Sequence, residues 1–408
     1  MAEQHEKALV PQIRFTGFTD PWEQRKLGEL ASKRIEKNTN GIKETFTNSA
    51  EHGVVSQLDY FDHDITNDAN IGNYSVVHPD DFIYNPRISA VAPCGPINRN
   101  KLDRNGVMSP LYTVFSVDDT IDKLYLEYYF KTSRWHQFMF LEGNSGARSD
   151  RFSISDSIFF EMPIQCPVLE EQELIASFFD RLDSLITLHQ RKYDKLCVLK
   201  KSMLDKMFPK GGSLYPEIRF AGFTDPWEQR KLGELYQKND ERNTDGLGSE
   251  RTLSVASMTF NSAGNGADDS SLPNYKRLRL GDIAFEGHTN KEFAYGRFVL
   301  NDAGNGIMSP RFTCLRPIVE QEYSFWKYFI HSEKVMRPIL VNSTKSGTMM
   351  NELVVEDFLK QEILVPSLPE QRRIGAFFDR LDSLITLHQR KLELLRNIKK
   401  SMLDKMFV

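Results

Sequence analysis

Residue types that usually carry catalysis occur in this chain without the spacing that catalysis needs. There is no G-x-x-x-x-G-K-[ST] phosphate loop, no G-x-S-x-G elbow and no H-E-x-x-H helix. No lysine has Asp or Glu two residues before it, so the usual signature of a metal-dependent nuclease is missing. His136, His288 and His331 have no partner at metal-ligand spacing. We therefore expect neither a catalytic centre nor a metal site.

Two short motifs come close to a base-methylating active site. T-D-P-W at Thr19 and again at Thr224 is close to the D-P-P-W motif of amino-methyltransferases, and N-P-R at Asn85 is close to N-P-P-Y. Both lack the second proline, and no glycine-rich cofactor turn follows a strand. We interpret Asp20-Pro21 and Asp225-Pro226 as starts of a short helix whose tryptophan anchors the packing.

Composition limits the possible partners. The 408 residues are 40% hydrophobic and 26% charged, which is typical of a soluble protein of two or three domains. The net charge of −4 argues against a protein that coats nucleic acid nonspecifically, so any DNA binding must be local. Two basic clusters could supply it, at residues 85–104 and 276–297.

The cysteines and the hydropathy pattern favour the cytoplasm. Cys94, Cys166, Cys197 and Cys314 form no C-x-x-C pair and are expected to be buried thiols in a reducing compartment. No apolar run approaches the roughly 20 residues of a membrane span. The first residues contain no apolar core of a secretion signal.

Three long segments occur twice. GFTDPWEQRKLGEL fills residues 17–30 and 222–235, FFDRLDSLITLHQRK fills 178–192 and 377–391, and KKSMLDKMF fills 200–208 and 399–407. NGVMSP at Asn105 matches NGIMSP at Asn305, but the loops around these matches diverge. The chain is therefore a tandem of two units of about two hundred residues. The predicted domains are 1–168, a helix at 169–208, a linker and second domain at 209–367, and a helix at 368–408.

The repeated segments near residues 178 and 377 predict two long helices, because they are rich in Leu, Lys, Arg and Glu and lack an internal proline. Their apolar residues follow heptads, which is typical of a coiled-coil seam, although Lys192 and Lys391 fall on the same rows. The predicted seam is Phe178, Leu182, Leu185, His189, Leu196, Leu199 and Met203, matched by Phe377, Leu381, Leu384, His388, Leu395, Ile398 and Met402. We interpret the histidines as polar residues that fix pairing at some cost in stability, rather than as a pH switch.

The regions between these helices mix short strands with short helices. We expect two α/β domains of modest sheet size within an α+β chain, held at the ends of an antiparallel helix pair with approximate twofold symmetry. A helix of about 30 residues is roughly 45 Å long. The C-terminal KMFV is expected beside ALVPQIRF, completing a joint that the internal repeat makes covalently.

Taken together, these segments resemble the specificity subunit of type I restriction-modification enzymes. The resemblance rests on W-x-x-x-x-L-G-E-L ahead of a divergent domain, on the helix entries EEQELIASFFDRLD and PEQRRIGAFFDRLD, and on helices ending in LDKMF. It covers both halves of the chain. It implies two target recognition domains that each read one half of a bipartite asymmetric DNA site, joined by two long antiparallel coiled-coil helices.

The resemblance also implies partners and cofactors. Two methyltransferase subunits would dock on the chain, and two motor-nuclease subunits would join them for restriction. S-adenosylmethionine, ATP and Mg²⁺ would belong to those subunits, and this chain would be non-catalytic. Double-stranded DNA is the expected ligand and a membrane is not.

Residues that contact DNA are predicted from charge and loop character, because Arg and Lys favour guanine and Asn favours adenine. The candidates are Arg87, Arg99, Arg104, Arg148 and Arg151 in the first domain and His288, Asn290, Lys291, Arg297 and Lys345 in the second. Two other functions stay open at this point. One is a scaffold or decoy that binds methyltransferase subunits but no DNA, and the other is an enzyme acting alone.

Overall fold

The fold is given by a computed structural model, which describes residues 9–60, 68–145, 150–261, 266, 268–348 and 350–408. The chain forms two compact units. The first unit comprises residues 1–188 and 391–408, and the second comprises residues 189–390. The domain boundaries predicted from the sequence remain a prediction.

The first unit has short strands around one small sheet. Its strands are Glu23–Lys26, Ala31–Lys33, Phe46–Ser49, Gly53–Ser56, Ser75–Val77, Phe82–Tyr84, Ile97–Arg99, Gly106–Met108, Thr113–Val117, Asn144–Ser145, Phe152–Ser153 and Pro163–Cys166. Its short helices are Leu27–Leu30, Gln57–Tyr60, Lys123–Tyr129, His136–Glu142 and Asp156–Phe159, with a 3₁₀ helix at Asp68–Asn73.

The second unit repeats this order of strands. Its strands are Glu228–Lys231, Tyr236–Lys238, Leu253–Ser254, Thr259–Phe260, Lys276–Leu278, Ile283–Glu286, Arg297–Leu300, Gly306–Met308, Thr313–Pro317, Thr344–Lys345, Glu352–Leu353 and Glu362–Val365. Its short α-helices are Tyr323–Phe329, Glu333–Val341 and Val355–Lys360, and its 3₁₀ helices are Leu232–Glu234, Ser249–Arg251 and Asp269–Asn274.

Each unit is built on a four-stranded antiparallel sheet of the same topology. In the first unit the order is Ala31–Lys33, Thr113–Val117, Phe82–Tyr84, Ile97–Arg99. In the second unit it is Tyr236–Lys238, Thr313–Pro317, Ile283–Glu286, Arg297–Leu300. The aromatic residues of these strands are buried, as Phe82, Phe115 and Phe298 show. Each sheet is small, and its buried face shares one hydrophobic core with the helices of its unit.

The repeated E-Q-R-K segments close each unit. Glu23–Lys26 pairs antiparallel with Pro163–Cys166, and Glu228–Lys231 pairs in the same register with Glu362–Val365. The tryptophan that precedes each segment is buried, at Trp22 and Trp227. The D-P-W motif is thus a packing anchor beside an exposed turn, although the residues after it form a strand rather than the short helix expected from the sequence.

Two 38-residue helices, Leu169–Lys206 and Leu368–Lys405, contribute to both units. Within the first unit, the ring of Phe179 lies 5.9 Å from that of Phe407, and the Asp183 carboxylate accepts a hydrogen bond from Lys399. Within the second unit, Lys200 pairs with Asp382. Residue numbers rise along one helix as they fall along the other, so the helices are antiparallel, as predicted.

The predicted seam needs one correction. Leu182, Leu381, Phe178 and Met402 lie in or against the cores of their units, but Leu185 and Leu199 are 44% and 39% exposed. Lys391 is exposed, whereas its neighbour Leu392 is only 5% exposed. A straight helix advances by 3.6 residues per turn rather than the 3.5 of a heptad, so the second apolar row turns away from the seam by about 20° per heptad.

The joint at the two chain ends matches the internal joint. In the first unit the Ile13 amide donates to the Lys405 carbonyl at 3.0 Å, and in the second unit Ile218 does the same to Lys206. Arg14 forms a two-point ion pair with the buried Glu171, with both bonds at 2.7 Å. The matching pair in the second unit is Arg219 with Glu370.

Candidate nucleic-acid interface

A groove of about 330 Å³ lies beside the central sheet of the second unit. Its walls are the end of strand Ile283–Glu286, the residues before strand Thr313–Pro317, and the hairpin of Thr344–Lys345 and Glu352–Leu353. Arg311, Asn351 and Glu352 contribute polar side chains, and Phe285 and Phe312 contribute rings. The groove therefore offers both hydrogen-bonding groups and flat apolar surface.

Close approach of the hairpin depends on Gly287. The Asn351 amide donates a hydrogen bond of 2.9 Å to the Gly287 carbonyl. A Cβ atom at position 287 would collide with the Asn351 carbonyl oxygen. Only glycine permits this approach, which holds the Asn351 backbone at the wall of the groove.

Arg311 is an exposed cation at the edge of this groove. Its guanidinium carbon lies 4.7 Å from the centroid of the Phe312 ring, a contact that restricts its orientation. Within the described part of the chain it forms no ion pair with a carboxylate. An arginine with unused donors can bond the O6 and N7 atoms of guanine or two phosphate oxygens.

A smaller groove of about 190 Å³ lies in the first unit, at the end of strand Phe82–Tyr84. Asn85, Arg87 and Tyr112 line it together with residues of strand Phe46–Ser49. Arg87 is exposed, and its amide donates a hydrogen bond of 3.0 Å to the Asn85 side chain. This groove therefore also carries an arginine on a fixed piece of backbone.

Buried asparagines hold the wall of the smaller groove. The Asn48 side chain donates to the Ile83 carbonyl at 2.7 Å and accepts from the Asn98 amide group at 2.7 Å. Asn85 donates to the Asn48 carbonyl at 2.8 Å. Buried polar groups that are satisfied in this way fix a single local geometry, so the groove is pre-formed.

The two grooves share two walls of one framework, namely the end of the third strand of the sheet and the residues before its second strand. The third wall is strand Phe46–Ser49 in the first unit and the hairpin of Thr344–Lys345 and Glu352–Leu353 in the second. The N-G-x-M-S-P segments shared by the two units end at Pro110 and Pro310. The two units differ from the next residue onward, where Leu111 corresponds to Arg311. Tyr112 and Phe312 then line their grooves. Sequence reasoning missed Arg311, Asn351 and Tyr112, although this change from kept to divergent residues was a usable signal.

The candidate arginines of the first unit fall into different environments. Arg87 lies in the groove, and Arg151 is joined to it by an antiparallel backbone bridge. Arg99 is 17% exposed and is bonded to Asp80 and Glu127 at 2.5 and 3.0 Å. Arg104 is paired with Glu44 at 3.0 Å. The internal partners of Arg99 count against the predicted DNA contact, and Arg148 lies outside the described residues.

The candidate residues of the second unit also divide into exposed residues and residues held by internal bonds. Lys345 is an exposed residue of the groove hairpin, and Lys291 is exposed on the loop after strand Ile283–Glu286. The Asn290 side chain caps that loop by accepting from the amides of residues 292 and 293. Arg297 donates to Glu286 at 2.7 Å, and His288 lies 3.3 Å from the same carboxylate. Arg297 is therefore held internally.

Two negative findings concern other kinds of site. Among the described residues, no group of three or more His, Cys, Asp and Glu side chains is placed to hold a metal ion. Within the same ranges, every helix is too short or too polar to cross a membrane.

A family model described as "Type I restriction modification DNA specificity domain" matches residues 19–197 and again residues 224–397. Each match takes in one copy of the repeated framework and one groove. The two matches together cover most of the chain. A search of curated proteins finds no match.

Solved structures with a similar chain course include the HsdS subunit from Thermoanaerobacter tengcongensis, at 18% identity and a TM-score of 0.48, with 95% of this chain and 96% of that chain covered. A type I restriction-modification S subunit from M. genitalium is 15% identical, with a TM-score of 0.48 and 98% and 99% covered.

Proposed function

This chain belongs to the type I restriction-modification DNA specificity family, and from that membership we propose that each of its units reads one half of a two-part asymmetric DNA target through its groove. The chain is thus a DNA sequence-specificity subunit. In this proposal the grooves select bases, while phosphate contacts from surrounding Lys and Arg residues set the register.

One observation carries the proposal: the two units keep the same strand framework and place unlike side chains in grooves that share two of their walls. Arg311, Asn351 and Glu352 offer donors and acceptors in the second unit, and Arg87 and Tyr112 do so in the first. Different donor and acceptor patterns recognise different base pairs in the major groove. Two unlike grooves on one chain therefore fit a target whose halves differ.

The repeated surfaces fit a partner that binds twice. Thr19, Asp20 and Pro21 are exposed, as are the matching Thr224, Asp225 and Pro226. Surfaces that are identical in both units and exposed to solvent suit two copies of one partner. We assign this role to two methyltransferase subunits, with two motor-nuclease subunits joining the complex for restriction.

Catalysis and cofactors are assigned to those partners. S-adenosylmethionine would bind the methyltransferase subunits, and ATP and Mg²⁺ the motor-nuclease subunits. This chain would supply recognition and assembly alone. Membership of the family does not favour the rival role of a scaffold that binds no DNA.

Methylation mapping tests the proposal. The chain is expressed with its methyltransferase subunit in cells that lack other adenine methylation, and methylated adenines are located by sequencing. We expect methylation at one two-part motif with an unread gap, and none when this chain is omitted. The proposal is contradicted if methylation follows no sequence pattern. It is also contradicted if the same pattern is methylated when this chain is omitted.

A further inference from the structure

Two equivalent short helices of the two units have a tyrosine at the same position and share no other residue. Helices Lys123–Tyr129 and Tyr323–Phe329 occupy the same place in the element order of their units. Their sequences are K-L-Y-L-E-Y-Y and Y-S-F-W-K-Y-F, so six of seven positions differ. The single match is Tyr128 with Tyr328.

Neighbouring positions separate the role of the hydroxyl from that of the ring. Tyr125 and Tyr129 correspond to Phe325 and Phe329. The Tyr125 hydroxyl donates to the Gln165 carbonyl at 2.7 Å, and the matching phenylalanine has no such group. Since phenylalanine fills almost the same volume, the fold accepts loss of a hydroxyl at these two positions. Retention of tyrosine at position 128 therefore points to its O–H group.

In the first unit that hydroxyl bonds one long helix and is connected through it to the other. Tyr128 is buried and donates to Asp183 Oδ2 at 2.9 Å, and Lys399 Nζ donates to Asp183 Oδ1 at 2.5 Å. Lys399 also lies 5.6 Å from the centroid of the Tyr128 ring. Burial and the Asp183 carboxylate raise the pKa of Tyr128, so the phenol keeps its proton and remains a donor.

The second unit repeats this connection with different surroundings. The Tyr328 hydroxyl lies 2.6 Å from Asp382 Oδ2, and Lys200 pairs with the same carboxylate at 2.6 Å. The residue before the tyrosine is Lys327 here, paired with Asp379 at 2.9 Å. In the first unit the residue before the tyrosine is Glu127, which pairs with Arg99, Lys101 and Lys131. The charge beside the tyrosine is reversed while the Tyr–Asp–Lys connection is kept.

We infer that Tyr128 and Tyr328 are positioning residues for target recognition. Each hydroxyl, with its Asp and Lys partners, forms a clamp that holds the globular part of its unit at one orientation on the long helices. A groove held at one orientation meets bases at one place along a duplex, so the clamp limits the half-site separation that the enzyme accepts. This inference rests on the proposed function.

The test uses the assembled methyltransferase complex and DNA substrates that carry the native gap or a gap one base pair shorter or longer. Tyr128→Phe should reduce the preference for the native gap by about tenfold, the usual consequence of losing a hydrogen bond to a charged group. Tyr125→Phe is the matched control, because it also removes one buried hydroxyl and creates the residue found in the second unit. It should leave the preference within about twofold of wild type.

The outcomes separate the clamp from the proposed function. If the Tyr128→Phe complex prefers the native gap as strongly as wild type does, the clamp is overturned and the proposed function is unaffected. The same holds if Tyr125→Phe reduces that preference as much as Tyr128→Phe does. A wild-type complex that methylates DNA without any sequence preference contradicts the proposed function. If the Tyr128→Phe complex does not assemble, Tyr328→Phe with the same substrates decides the question in the second unit.

Discussion

The Nδ1 atoms of His189 and His388 lie 2.8 Å apart, within hydrogen-bond distance, on facing positions of the two long helices. Their ring centroids are 5.0 Å apart. The bond needs one ring to donate and the other to accept, so only certain protonation states satisfy it. Since both histidines come from the repeated segment, the contact pairs like positions of the two helices.

Replacing both histidines by leucine should raise the free energy of unfolding by about 1 to 2 kcal/mol, because apolar side chains at a helix seam bury more surface than a polar pair. Chemical denaturation of wild type and of His189→Leu/His388→Leu measures this change. The single His189→Leu variant serves as control and should gain less, since it replaces only one of the two polar rings. A double variant less stable than wild type would show that the pair contributes net stability.

Arg87 and Arg99 should respond differently to the same substitution. Arg87→Ala should weaken DNA binding by about 1 to 3 kcal/mol at an unchanged melting temperature, because the side chain is exposed at a groove. Arg99→Ala should instead lower stability by about 2 kcal/mol or more, because it leaves the nearly buried Glu127 without one partner. Gel retardation and thermal unfolding measure both quantities. Equal effects of the two variants on DNA binding would refute the distinction.

Arg311 should determine a base in one half of the target only. Arg311→Ala should relax specificity at one position by about 1 to 3 kcal/mol, the range for a bidentate contact with guanine. Methylation mapping of the variant complex reads both halves at once. Arg337→Ala removes another exposed arginine of the same unit, one that does not line the groove, and should change neither half. An unaltered methylation motif in the Arg311 variant would show that Arg311 does not contact a base.

Glu127 makes the first unit sensitive to acid. Burial alone would raise its pKa, but Lys131 and Lys101 outweigh burial and lower the pKa to about 2 from the usual value of 4.5. A carboxyl whose folded pKa is depressed stabilises the fold above its unfolded pKa, and that stability is lost as the pH falls from 4.5 through about 2.

Glu127→Gln should therefore cost about 3 kcal/mol near neutral pH, and the difference from wild type should shrink as the pH is lowered through this window. Chemical denaturation at several pH values follows both proteins. Glu142→Gln, a substitution of an exposed residue on the next helix, should track wild type throughout. If the difference in free energy of unfolding between Glu127→Gln and wild type does not change with pH, the stability does not come from the ion pairs of Glu127.

The repeats made much of this architecture predictable. The long helices follow from sequences that have no glycine after Gly375 and no proline beyond the first turn, and the structure places them at Leu169–Lys206 and Leu368–Lys405. The seam was less predictable, because the exposure of Leu185 and the burial of Leu392 depend on how far a straight helix drifts from a heptad.

The reading residues could not be taken from charge alone. Arg99 looked like part of a basic patch because its carboxylate partner Glu127 is 28 residues away in the sequence and meets it only in the fold. Arg311 stood outside both basic clusters, yet the fold places it on a groove with Asn351. Because each groove is formed by three separate segments, the sequence marks where one wall diverges but does not show which residues of the other walls meet it.

Exchange of the globular parts tests whether each unit reads its own half of the target. Residues 31–177 are replaced by residues 236–376, so that both units carry the second groove between unchanged repeated segments. Adenine methylation is then mapped in cells that express the hybrid with the methyltransferase subunit. The hybrid should methylate a symmetric target in which the second half-site appears twice. Methylation that still requires the original first half-site would contradict it.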